Sequence, residues 1–154
     1  MPELREGDVA EGNRVPAVRR QRERVKVYLA ARFGRAAEIQ AHVAELEALG
    51  HKVVSRWHRG DHVAKNAVRD AVPTLEERRL WATEDVDDLR SSQVVISFTE
   101  PPDSEHSRGG RHVEFGLAMA WMKATVVVGP MENVFHVLAD HHFDTWPDLL
   151  AAWA

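Results

Sequence analysis

The sequence predicts an α/β domain: an open, parallel sheet of five strands with helices on both faces. Three observations carry this. Short apolar runs rich in β-branched residues alternate with stretches of helical periodicity. The runs are apolar throughout, as strands covered on both sides are, and helix start and stop signals lie between them.

Residues 25–31, Val-Lys-Val-Tyr-Leu-Ala-Ala, make the first strand, and Arg32-Phe33-Gly34-Arg35 the turn after it. A helix follows, with Ala36, Ile39, Val43 and Leu46 at helical spacing and Gly50 where a C-terminal cap belongs. Residues 52–57 form the second strand. Residues 58–70 are charged, contain Gly60 and have no clean period, and they predict a loop or a poorly formed helix over the site. Pro73-Thr74-Leu75-Glu76-Glu77 holds a Thr-x-x-Glu capping box that opens a helix running to Arg90. Residues 93–98 are a buried strand and the polar residues 99–108 a loop at its carboxyl end. A helix over 113–123, a buried strand over 124–129 stopped by Pro130, and two short helices around a last strand near Phe143 complete the chain.

This alternation is that of a flavodoxin- or Rossmann-like sheet, whose ligands bind outside the carboxyl ends of the strands. The rule gathers residues 31–35, 56–60, 99–114 and 130–133 around one crevice. Residues 1–24 mix six arginines with acidic residues and few large apolar ones, which predicts a flexible or loosely packed arm before a single domain over 25–154.

Composition narrows the chemistry. The 44% of apolar and 29% of charged residues are those of a soluble globular protein, and no apolar run approaches the roughly 20 residues of a membrane span, so a cytoplasmic location with no membrane partner is expected. The chain has no cysteine, which excludes disulfides, zinc-thiolate sites and thiol catalysis. A formal charge of −4 offers no footprint for a nucleic-acid polymer, so a small ligand is expected. Phosphate-loop and dinucleotide fingerprints and a Gly-x-Ser-x-Gly elbow are missing, and the spacing of His136, His141 and His142 matches no metal frame. No cofactor or metal is expected.

Glu114 stands out because the helix it opens is otherwise nearly all apolar: Val113, Phe115, Leu117, Ala118, Met119, Ala120 and Trp121. An isolated buried carboxylate costs several kcal/mol, so it must be paired, protonated or functional. The pattern alone leaves two readings, a helix-start glutamate stabilised by the dipole or by an arginine, and a catalytic group. Gly109-Gly110 before it allows close backbone approach to phosphate or sugar oxygens, although most such pairs are turns. Arg32, Arg35, Arg108 and Arg111 flank the crevice and suit a phosphate, or are solvated surface residues. Asp85 is a second carboxylate of interest, with Asp87 and Asp88 read as solvated. Phe33, Trp57 and Trp81 are either stacking partners for a base or core.

Three segments in order, Val27-Tyr28-Leu29-Ala30, Glu84-Asp85-Val86-Asp87-Asp88-Leu89 before Val94-Val95-Ile96, and Gly110-Arg111-His112-Val113-Glu114-Phe115-Gly116-Leu117-Ala118, resemble the nucleoside 2-deoxyribosyltransferase superfamily. That superfamily includes the 2'-deoxynucleoside 5'-phosphate N-hydrolases and the cytidylate N-glycosidases, and the resemblance spans Lys26 to the C-terminus. It implies that Glu114 is a glutamate nucleophile in a pattern like Gly-x-Gly-x-Glu-x-Gly-x-Ala, with His112 in place of the second glycine. It implies that Asp85 positions the sugar and manages the proton on the leaving base, that Tyr28 lies beside the nucleophile, and that Asn133 completes the site of a neighbouring subunit in a homodimer or higher oligomer.

The chemistry so implied is retaining glycosyl transfer. A carboxylate captures the anomeric carbon as a glycosyl ester, and a second acceptor then releases the sugar. With Arg32, Phe33, Arg35, Arg108, Gly109, Gly110 and Asn133 as substrate contacts, the expected substrate is a pyrimidine (deoxy)nucleoside 5'-monophosphate and the expected reaction hydrolysis. Base exchange on a free nucleoside is the alternative, and a nucleotide sensor without turnover is the alternative of another class.

Overall fold

The computed structural model describes residues 23–60, 72–104 and 109–154. The arm expected over 1–24 lies almost wholly outside them, as does most of the segment 58–70. The strands are β1 (Lys26–Ala30), β2 (Lys52–Val53), β3 (Val94–Phe98), β4 (Ala124–Val128) and β5 (His141–Phe143). The helices are α1 (Ala36–Ala48), α2 (Leu75–Ser91), α3 (Gly110–Ala120) and α4 (Trp146–Trp153), with 3₁₀ turns at Phe33–Arg35 and Val134–Leu138. All neighbouring strands pair in parallel in the order β2-β1-β3-β4-β5. The expected five-stranded sheet is therefore present, and its order reverses between β1 and β3, where such sheets hold their ligands. Among the described residues no helix is long and apolar enough to cross a membrane.

The central strands are apolar because both faces are covered: Val27, Tyr28, Leu29, Ala30, Val95, Ile96, Phe98 and Val127 are fully buried. The capping box of α2 forms as the sequence predicts, Thr74 accepting from the Glu77 amide and Glu77 from the Thr74 amide. A second one, Thr145 with Asp148, starts α4, whose Leu149 is fully buried and whose Trp146 packs against Phe98. Gly50 follows α1 with a φ of 91°, the left-handed conformation a helix stop favours.

Two of the boundaries that differ from expectation have a local reason. β2 keeps only two ladder residues of the six expected. Beyond Val54, whose amide still bonds Val27 O, the Ser55 hydroxyl accepts from the Leu29 amide and the Trp57 indole donates to Leu29 O at 2.7 Å. Side chains thus take over the hydrogen bonds of the β1 edge, and no further strand is needed to satisfy them. α3 begins at Gly110, three residues before the expected start, because Gly109 adopts φ 77° and turns the chain directly into the helix. Glu114 is consequently in the second turn.

Gly129, at the end of β4, has φ 108°, and a Cβ there would come within 2.7 Å of Thr99 Oγ1. Gly129→Ala is expected to destabilise the fold by about 2–4 kcal/mol through combined backbone strain and overlap. A urea midpoint equal to that of the parent would show that Thr99 gives way freely.

Candidate active site

Parallel pairing brings Tyr28, on the inner strand β1, under the second turn of α3. Its hydroxyl donates to Glu114 Oε1 at 2.7 Å. Along α3, Arg111, Phe115 and Ala118 are buried at helical spacing, and this orientation brings Glu114 against the sheet, while Val113 on the opposite side is 63% exposed. The helix therefore has a solvent face, and that face is apolar. On α2, Asp85 lies one turn before the buried Leu89 and belongs to the same inward side.

Burial dominates the electrostatics. Desolvation raises the pKa of Glu114 to about 7, against the lowering hydrogen bond from Tyr28; the nearby Asp85 charge raises it further and Arg111 lowers it. The Tyr28 phenol is pushed well above its ordinary value by burial, then by Glu114 and Asp85, so it remains a donor. The structure thus brings together Tyr28, Asp85 and Glu114. Chemically the trio offers a weakly hydrated carboxylate with a fixed donor and a second acid close by. Tyr28→Phe is expected to raise the Glu114 pKa further, moving the rising limb of kcat/KM against pH to higher pH. A limb that stays in place or moves down would contradict the hydrogen bond as a determinant of that carboxylate.

The other expected contacts divide. Phe33 is 37% exposed and tilted against Trp57 at 6.0 Å, whereas Trp57 is core. Arg32 and Arg35 point to the end of β3, where both face Glu100. Gly109 needs its left-handed φ, and a Cβ on Gly110 would meet no atom within 4 Å, so packing of the described residues does not require glycine there. Arg108 lies outside the described residues. Asn133 is held within its own subunit: its amide group stands 3.1 Å from His112 Nδ1 and 3.2 Å from His136 Nε2, and its oxygen accepts from the Phe135 amide.

Asp88, read from the sequence as solvated, is buried at 7% exposure. Its carboxylate accepts from the Arg56 amide at 3.0 Å and from the guanidinium at 2.9 Å, tying α2 to the chain after β2. A charged group pays its desolvation through this bidentate pairing, which a helical pattern alone does not reveal.

Sequence reasoning also passed over Glu132 and Glu100. Glu132 ion-pairs with the buried Arg111, lies 2.7 Å from His112 Nε2 and accepts from the Glu100 amide at 2.6 Å, joining the ends of β3 and β4 to the start of α3. Burial lowers the pKa of His112, with Arg111 adding to it, and burial likewise lowers that of His136. The available signal was position: both glutamates lie just past the carboxyl end of an apolar strand. Among the described residues no three histidine or acidic side chains converge as a metal site.

No family model and no curated protein matches the sequence. Solved structures do. A 2-deoxyribosyltransferase from Bacillus psychrosaccharolyticus is 18% identical, with a TM-score of 0.61 over 83% of this chain and 95% of the other. A conserved protein from Enterococcus faecalis V583 is 14% identical, with a TM-score of 0.55 over 85% and 98%. A CMP N-glycosidase from Clostridium botulinum, BcmB, is 19% identical, with a TM-score of 0.51 over 82% and 95%. This chain has the fold that a 2-deoxyribosyltransferase and a CMP N-glycosidase also have.

Proposed function

We propose that the chain is an enzyme that cleaves the N-glycosidic bond of a nucleoside or nucleoside 5'-monophosphate through a covalent glycosyl ester on Glu114. The observation that carries this is the half-buried Glu114, whose carboxylate accepts from Tyr28 beside Asp85 and is desolvated enough to raise its pKa to about 7. In the first step a Glu114 oxygen bonds the anomeric carbon as the bond to the base breaks. The base leaves with a proton, which in this reading Asp85 supplies or relays. An acceptor then attacks the same carbon, Glu114 leaves as carboxylate, and the two inversions give net retention. Water as acceptor yields free sugar or sugar phosphate; a second base yields a new nucleoside. The fold shared with a transferase and an N-glycosidase supports both outcomes.

Incubation with a panel of nucleosides and 5'-monophosphates, followed by chromatography for free base, tests the reading, and an added second base separates hydrolysis from exchange. No release from any member, with ligands still raising thermal stability, would replace the enzyme by a nucleotide sensor.

A second copy is the proposed partner. Val113, Val134, Phe135, Val137 and Leu138 are each at least 60% exposed, and a groove of about 480 Å³ between α3 and the Val134–Leu138 turn is lined by Val113, Phe115, Met119 and Phe135. His112 and Asn133 border the same groove, so a copy seated there would meet residues at the start of α3.

A further inference from the structure

The crevice arginines already have anionic partners. Glu100, only 9% exposed, directs Oε1 at Arg35 NH1 (3.3 Å) and Arg32 Nε (3.5 Å). Arg35 also grips Glu38 through Nε at 2.7 Å and NH2 at 2.6 Å, donates to Thr99 O, and lies over the Phe98 ring. Two guanidinium charges thus face two carboxylates. On the other flank Arg111 is matched by Glu132, and Glu132 in turn holds the Glu100 amide. Among the described residues, then, these three arginines provide no surplus positive charge. A phosphate dianion entering beside Arg32 and Arg35 would have to displace Glu100 or stand against it, and either costs the charge-assisted bonds that recognise phosphate. A sugar hydroxyl meets no such opposition. The second oxygen of Glu100 has no protein partner among the described residues and can accept from a hydroxyl.

We infer that Glu100 is a specificity-determining residue that disfavours a 5'-phosphate and turns the site toward free nucleosides with a neutral 5'-hydroxyl. This rests on the N-glycosidase reading above for its substrate class, and it reverses the weight that the arginines carry in the sequence. Glutamine at position 100 keeps an oxygen for Arg35 and Arg32, so a role limited to holding the loop would survive the exchange, while the charge balance would not.

The experiment compares the parent chain, Glu100→Gln and Glu38→Gln. Two quantities are read: the ratio of kcat/KM for a 5'-monophosphate to that for the nucleoside of the same base, and the affinity for inorganic phosphate by calorimetry. Glu100→Gln should raise the ratio and tighten phosphate binding about tenfold or more, the effect of removing one close, partly buried like charge. Glu38→Gln, on the exposed side of Arg35, should shift both the same way by less. The inference is overturned by a parent chain that prefers the monophosphate by a large factor, or by a ratio and a phosphate affinity that neither variant moves. Base release from neither substrate would instead remove the N-glycosidase reading, and phosphate affinity then decides the role of Glu100 alone. Should Glu100→Gln fail to fold, Glu38→Gln decides the direction.

Discussion

Glu114→Gln is expected to abolish base release and at the same time to stabilise the fold at pH 8. The activity loss follows from chemistry, since an amide oxygen neither forms nor releases a glycosyl ester at a useful rate, and loss of a covalent nucleophile costs roughly a thousandfold or more. The gain in stability follows from the titration. With a folded pKa of about 7 against an ordinary 4.5, Glu114 holds a proton in the folded state that the unfolded chain has already lost between those values. Stability therefore falls as pH rises from about 4.5 to about 7 and stays reduced above that. Glutamine does not ionise and still accepts from Tyr28, so it removes this loss, on the order of 3 kcal/mol at most at pH 8. Urea unfolding of both proteins at pH 5 and pH 8 measures it. A variant that gains nothing at pH 8 relative to pH 5 would mean that Glu114 ionises as readily as an exposed glutamate. One that keeps its base release would remove Glu114 as nucleophile.

Asp85→Asn should lower kcat by about a hundredfold, the usual effect of losing a positioned acid or base. It carries a second signature. The Asp85 charge raises the pKa of Glu114, so its removal should move the rising limb of kcat/KM to lower pH, opposite to the direction expected for Tyr28→Phe. Rate profiles of the two variants read side by side make the test. A fall in kcat with no displacement of the limb would place Asp85 in a role that does not reach the carboxylate. Displacement of both limbs in one direction would contradict the electrostatics of the trio.

Much of this arrangement was legible beforehand. Apolar runs such as residues 94–98 and 124–128 specify strands because covered strands need no polar face, and Thr74 with Glu77 specifies a helix start because a capping box satisfies its own backbone. Tyr28, Asp85 and Glu114 could be named from the order of three short segments. Contacts between distant segments were less accessible. Asp88 looks solvated beside Asp87 in the sequence, and its burial depends on Arg56, 32 residues away. β2 stops early because the Ser55 and Trp57 side chains bond β1, a fact of three-dimensional register.

The arginines show the same division. Sequence supplies Arg32, Arg35 and Arg111 as cations near the end of the sheet, and with them the expectation of a phosphate. Their carboxylate partners, Glu100 and Glu132, follow different strands and meet the arginines only once β1, β3 and β4 lie side by side. By itself the sequence determined the alternation of strands and helices, the absence of thiol chemistry and the identity of the candidate nucleophile, because periodicity, composition and local motifs are properties of neighbouring residues. The tertiary structure alone decided which charges cancel, how far Glu114 is desolvated and which face of α3 stays apolar and open. Those depend on distances between segments far apart in the chain, and both the Coulomb energy and the loss of hydration are set by such distances.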